Sequence, residues 1–148
     1  MDRSPLQQEP ELRLSRFYPA SPEKVWRAWT DPQALSRWFG PGEPDSVTHA
    51  QMDVRVGGRY EIAFRTQYGE EHRVRGVYQD VQPQRRLVFS WAWQSTPERV
   101  SLVTVELQPD GQGCELRFLH ERFFDLDARD NHARGWTATF AKLGTMLG

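Results

Sequence analysis

A chain of 148 residues with one cysteine, Cys114, is a single ordinary domain, long enough to bury about 70% of its unfolded surface without a disulfide or metal staple. Nineteen basic and twenty acidic side chains, interspersed to a net charge of −1, exclude the basic patch that nucleic-acid or membrane-surface binding requires. The lone cysteine points to a reducing cytoplasm, no run approaches the ~18 apolar residues of a spanning helix, and the one compositional excess is aromatic, with six tryptophans.

Residues 1–10 are polar and proline-bearing and read as a disordered tail, neither signal peptide nor anchor, ahead of a domain over 11–148. The alternation of ELRLSRFY (11–18) predicts a first strand. Ser21-Pro22 starts a helix, Ser as N-cap and Pro at N1, with Val25, Trp26 and Trp29 on one face. Asp31-Pro32 repeats the signal, so a second short helix follows at an angle. It shows Leu35, Trp38 and Phe39 at i, i+3, i+4 until Gly40-Pro41-Gly42 stops it.

After residue 45 the period changes to two. Strands are predicted near 46–55, 59–66, 71–81, 86–94, 99–108 and 113–121, punctuated by turn chemistry such as Gly57-Gly58, Thr96-Pro97 and Pro109-Asp110-Gly111. Leu87, Phe89, Trp91 and Trp93 share one face of their strand, as Cys114, Leu116, Phe118 and His120 share one face of theirs. Gly76 marks a bulge, where a slip of one residue would reverse such facings. So apolar a sheet face needs a cover. From Asp125 or Asp127 onward, Trp136, Phe140, Leu143 and Leu147 form a helical stripe that supplies it. The expected class is α+β: a curved antiparallel sheet of six or seven strands wrapped around a long C-terminal helix, with two short helices after the first strand.

Little of this carries chemistry. There is no G-x-S-x-G elbow, and Cys114 has no adjacent base. His49, His72, His120 and His132 lack metal-ligand spacing, so no metal is expected. RVGGRY and DGQGCEL lack the third glycine of a phosphate cradle, so no nucleotide cofactor is expected either. His120 lies on the covered face and is the acid–base candidate. A histidine hydrogen-bonded to a neighbour explains it better, and no catalytic residue is assigned. Arg59 and Glu61 fall on the solvent face, and Asp53 and Arg55 are spaced to pair.

The stretches PASPEKVWRAWTDPQALSRWFGP (19–41), DVRVGGRYEIAF (53–64), GVYQDVQPQRRLVFSW (76–91) and VTVELQPDGQGCELRFLHE (103–121), with Gly135-Trp136, resemble the START-like (SRPBCC) superfamily. Within it they are most similar to the group related to the C-terminal domain of the activator of heat-shock-protein-90 ATPase. The resemblance covers nearly the whole chain. It implies a helix-grip fold with a cavity between the concave sheet face and the long helix. It also implies that Trp38 and Phe39 sit by the cavity mouth while Trp29 and Val25 pack under the sheet. Such proteins serve as ligand carriers, polyketide cyclases, resistance proteins, co-chaperone domains or stress proteins, and fold does not choose among them.

The ligand-binding candidates are Trp38, Phe39, Tyr60, Phe64, Tyr78, Phe89, Trp91, Trp93, Phe118, His120, Trp136 and Phe140. The facing of Tyr60 and Phe64 rests partly on the resemblance. The expected function is cytoplasmic binding of a small hydrophobic molecule, aromatic or acyl, in a stress-related role, with a homodimer left open. The alternatives are a cyclase or aromatase, in which His120 or a tyrosine moves a proton, and a co-chaperone-like interaction domain.

Overall fold

A computed structural model describes residues 10–66 and 68–147. The tail expected over 1–10 lies outside the described residues except for Pro10, whose carbonyl accepts the Phe123 N–H at 3.3 Å. Seven strands form one antiparallel sheet: β1 (Leu12–Tyr18), β2 (Val47–Met52), β3 (Arg59–Arg65), β4 (Glu71–Gln82), β5 (Arg86–Trp93), β6 (Ser101–Asp110) and β7 (Gly113–Glu121). Their order across the sheet is β1-β7-β6-β5-β4-β3-β2. Helices α1 (Pro22–Thr30) and α2 (Pro32–Leu35) connect the two edges, and α3 (Leu126–Leu147) lies against the concave face. This is the helix-grip arrangement.

Local chemistry explains the helix boundaries. Ser21 caps α1, its side chain accepting the Lys24 N–H at 3.2 Å, and Asp31 does the same for Gln33 at 3.0 Å. Helix α2 is only one turn long. Beyond Leu35 the chain tightens, with the Arg37 and Trp38 N–H groups bonding carbonyls three residues back. Leu35, Trp38 and Phe39 still share one buried face. The indole of Trp38 closes the corner by donating to the Ala28 carbonyl at 3.0 Å. The regular helical donor to that carbonyl would be residue 32, a proline with no N–H. The Thr-Asp-Pro break and the third tryptophan are therefore one device.

Trp29 is the hub of the core. Its ring meets Trp38 at 4.9 Å, Trp136 and Phe140 at 6.1 Å each, and Phe118 at 6.3 Å, joining α1 to the sheet and to α3. On α3, Trp136, Phe140, Leu143 and Leu147 are buried, together with Thr139. Along β5 and β7 the two apolar sets point inward as their alternation requires, although Trp93 is only half-buried.

The register shift in β4 lies between Tyr78 and Asp80, not at Gly76. Gly76 marks something else: β4 and β5 come too close there for any side chain. A Cβ on Gly76 would stand 1.9 Å from the Ser90 carbonyl oxygen and 2.7 Å from the Tyr60 ring. Tyr60, paired with Gly76 across the β3–β4 ladder, reaches over it to donate its hydroxyl to that same carbonyl at 2.6 Å. The Val77 N–H bonds the Ser90 hydroxyl at 2.9 Å. On the outer face Arg59 is exposed, Glu61 is half-buried beside Arg73 and His49, and Arg55 pairs with Asp53 at 2.8 Å.

Candidate functional site

Between the β3–β4–β5 end of the sheet and the N-terminal half of α3 lies a cavity of about 530 Å³. Its floor is aromatic: Phe39, Phe64, Trp91, Trp93 and Trp136. Trp91 and Trp136 stand 5.2 Å apart, and Trp91 and Trp93 meet edge to face at 5.4 Å. The rim is polar, with Thr66, His72, Ser95, Arg99, Asp125, Asn131 and His132. One wall is the Gly40-Pro41 turn, tied to α3 by the Lys142 ammonium, which donates to the carbonyls of Gly40 and Gly42. Asp125 accepts the Ala128 N–H at 2.8 Å and so caps the helix end that borders the cavity.

Two histidines, His132 on the rim and His120 in the closed core beside it, are each bonded to a tryptophan. The Trp136 indole donates to His120 Nδ1 at 3.1 Å. An indole can only donate, so His120 Nε2 carries the proton and gives it to Ser101 Oγ at 2.7 Å. The Ser101 hydroxyl in turn donates to the Trp91 carbonyl at 3.2 Å. By the same logic Trp93 donates to His132 Nε2 at 3.0 Å, and His132 Nδ1–H donates to the Ala128 carbonyl at 2.7 Å. The rings stand 5.1 Å apart, and both are held neutral. Burial pushes the His120 pKa well below its ordinary value, with His132 adding to the effect, and burial lowers His132 as well.

This bonding makes the fold sensitive to acid. The unfolded chain takes up protons at these histidines near pH 6.5, while the folded chain resists until lower pH. Their contribution to stability is complete above about pH 6.5 and is lost as pH falls toward the lower folded-state values. Thermal melts from pH 8 to pH 5.5 should show Tm falling through the lower half of that range. His120→Gln keeps an acceptor for Trp136 without titrating, so it should flatten the slope. An unchanged Tm in the natural protein would contradict this account.

Of the candidates named from sequence, Phe39, Phe64, Trp91, Trp93 and Trp136 line the cavity. Tyr60, Tyr78 and Phe89 do not. With Trp29, Phe39 and Trp91 they wall a separate small pocket of about 10 Å³, the size of one water. Trp38, Phe118, His120 and Phe140 stand in the closed core, at 2% exposure or less. Trp38 is thus not at the mouth, because its indole is turned inward to serve Ala28. The rim residues Arg99, Asp125, Asn131 and His132 were not singled out for binding. A signal for the helical side exists: Ala128, His132, Gly135 and Thr139 line the cavity at helical spacing, beside the large-residue stripe. Small residues on a buried helix flank mark a concavity.

A broader groove on the outer sheet face is lined by Arg55, Arg59, Arg75, Val77 and Val100 and is mainly polar. Among the described residues no three His, Cys, Asp or Glu side chains are grouped to hold a metal ion. No helix among them is long and apolar enough to cross a membrane.

Comparison with known proteins agrees with this geometry. The family model described as "Activator of Hsp90 ATPase homolog 1-like protein" matches residues 19–148. A solved protein from Chromobacterium violaceum, CV1439, is similar at 27% identity with a TM-score of 0.80, over 93% of this chain and 96% of that one. Mll3558 from Rhizobium loti is 31% identical, with a TM-score of 0.72 over 94% and 97% of the two chains. An AHSA1 protein from Silicibacter pomeroyi is 25% identical, with a TM-score of 0.78 over 93% and 97%. A comparison with curated proteins finds no match. With the helix-grip sheet, the covering helix and a family match that runs from residue 19 to the last, the chain belongs to the activator of Hsp90 ATPase homolog 1-like family of START-like domains.

Proposed function

We propose that this protein binds a small, flat, hydrophobic molecule in the cavity between the sheet and α3, as a carrier or sensor. The observation that carries the reading is the cavity itself: about 530 Å³ over a floor of five aromatic rings. That volume falls within the ~300–1,000 Å³ of small-molecule sites, and an aromatic floor under a polar rim is how such sites fix a flat ligand. START-like folds commonly bind hydrophobic ligands, which supports the same reading. Binding without turnover is favoured by the histidines. All four ring nitrogens of His120 and His132 are already engaged with protein groups, so neither histidine is free to take a proton from a bound molecule.

The test uses the tryptophans. Titration with a panel of flat aromatic polyketides, flavonoids and fatty acids should give saturable quenching of intrinsic fluorescence at micromolar ligand. Trp91→Phe and Trp136→Phe should diminish it. Flat titrations across the panel would mean that the rings serve packing alone, and would overturn the proposal.

A further inference from the structure

Two hydrogen bonds clasp the sheet to α3, and they run in opposite directions. In the closed core the helix donates, from the Trp136 indole to His120 on β7. At the cavity the sheet donates, from the Trp93 indole at the end of β5 to His132 on α3 at 3.0 Å. Of the two, the second borders open space. Trp93 and His132 both line the cavity and both are half-buried, whereas His120 is fully enclosed.

The outer clasp works in one protonation state. Neutral His132 gives its Nδ1–H to the Ala128 carbonyl at 2.7 Å and keeps Nε2 as the acceptor for Trp93. A second proton has one place to go, Nε2, and there it meets another donor. An imidazolium has no acceptor left, so the bond to Trp93 is lost. The Trp93 ring is then held by edge-on contacts, with Trp91 at 5.4 Å and Phe64 at 6.0 Å.

Charged and titratable neighbours face this pair from several elements. Asp125 and Asp127 share the rim at the start of α3, where Arg129 is paired with Asp130. His120 of β7 stands 5.1 Å from the His132 ring, and His72 of β4 stands 6.0 Å from the Trp93 ring. Arg99 lies on the rim with its guanidinium over Phe124. The two carboxylates favour a charged His132 and Arg99 opposes it. Burial prevails, lowering the His132 pKa against the opposing effect of the bond to Ala128.

We infer, resting on the ligand-binding reading above, that His132 is the positioning residue of the cavity and couples binding to proton release. The site takes its ligand while His132 is neutral and lets it go when His132 gains a proton. Two effects add. The proton frees Trp93 from its place in the aromatic floor, and a ligand over that floor removes water from an imidazole that would have to carry charge. The bound form therefore has the lower His132 pKa, so binding releases protons and weakens as pH falls through the value of the free protein.

The experiment titrates N-phenyl-1-naphthylamine, an uncharged aromatic probe whose emission rises in apolar surroundings, into the full chain between pH 7.5 and pH 5.5. Circular dichroism at each pH restricts the series to folded protein. The Kd should rise about fivefold across the range, one proton allowing at most about tenfold per pH unit. Calorimetry at pH 6 in two buffers of different ionisation enthalpy should show protons leaving the protein on binding. In ¹H–¹⁵N spectra the Trp93 indole peak, assigned with Trp93→Phe, should move upfield as pH falls. His132→Gln cannot gain the charge, so its Kd should be the same at every pH, whatever its value at pH 7.5. His72→Gln should keep the slope of the natural chain. A Kd independent of pH in the natural chain would overturn this inference and leave the cavity binder standing, as would a slope that survives His132→Gln. Should that variant not fold, a Trp93 peak that stays in place across the titration decides against the inference equally. No binding at pH 7.5 would overturn both readings.

Discussion

Replacing Trp38 with alanine is expected to cost about 4 kcal/mol of folding stability, within the range for emptying a buried aromatic site. Trp38 is fully buried, packs against Trp29 at 4.9 Å and Phe39 at 6.0 Å, and is the largest of the fully enclosed side chains. The loss has two parts that substitution can separate. Trp38→Phe keeps most of the apolar volume but strips the Ala28 carbonyl of its donor, at a cost of about 2 kcal/mol. Trp29→Phe deletes an indole N–H that has no acceptor among the described residues, so it should cost less despite the central position of Trp29. Chemical denaturation of the three variants gives the comparison directly. If Trp38→Phe proved no worse than Trp29→Phe, the bond to Ala28 would contribute nothing to the corner between α1 and α2.

Gly76→Ala comes next, at about 3 kcal/mol, which lowers Tm by about 10 °C in a domain of this size. A single added methyl would stand 1.9 Å from the Ser90 carbonyl oxygen and 2.7 Å from the Tyr60 ring. The Tyr60 ring can turn aside only by giving up its hydrogen bond to Ser90. The carbonyl belongs to the backbone of β5 and moves only with its strand. Tyr60→Phe in the Gly76→Ala background should recover little, because the backbone contact remains. Recovery of most of the loss would show that the clash lies with the tyrosine.

These two sites also show what sequence alone conveyed. The strands were readable because each is bounded by turn residues and carries period-two alternation, so bounds such as 113–121 agree with β7. The α3 stripe was readable because Trp136, Phe140, Leu143 and Leu147 need no knowledge of what they touch. The cavity was harder. Its floor mixes residues of α3, two strands and the turn after α2, and whether a large ring fills or lines a space depends on rotamers that no periodicity encodes. Trp38 illustrates this, since its inward turn serves the Ala28 carbonyl on α1, which Pro32, having no N–H, leaves without its helical donor. Tyr78 and Phe89 likewise face the concave side as alternation predicts, yet they line a separate small pocket rather than the larger cavity. Gly76 was noticed as an irregularity for want of a better reason. Its cause, a close approach to Ser90, lies across a ladder that the sequence does not display.

The strand order has a consequence for how the protein is made. From β3 to β7 every strand pairs with the one before it, so each hairpin can form as soon as its second half leaves the ribosome. β1 is the exception, because its partner is β7, with Leu12 opposite His120. The first strand to be synthesised is therefore the last to find its place. It waits unpaired through nearly the whole of translation, and the slowest step of folding should be this return of the beginning of the chain to its end.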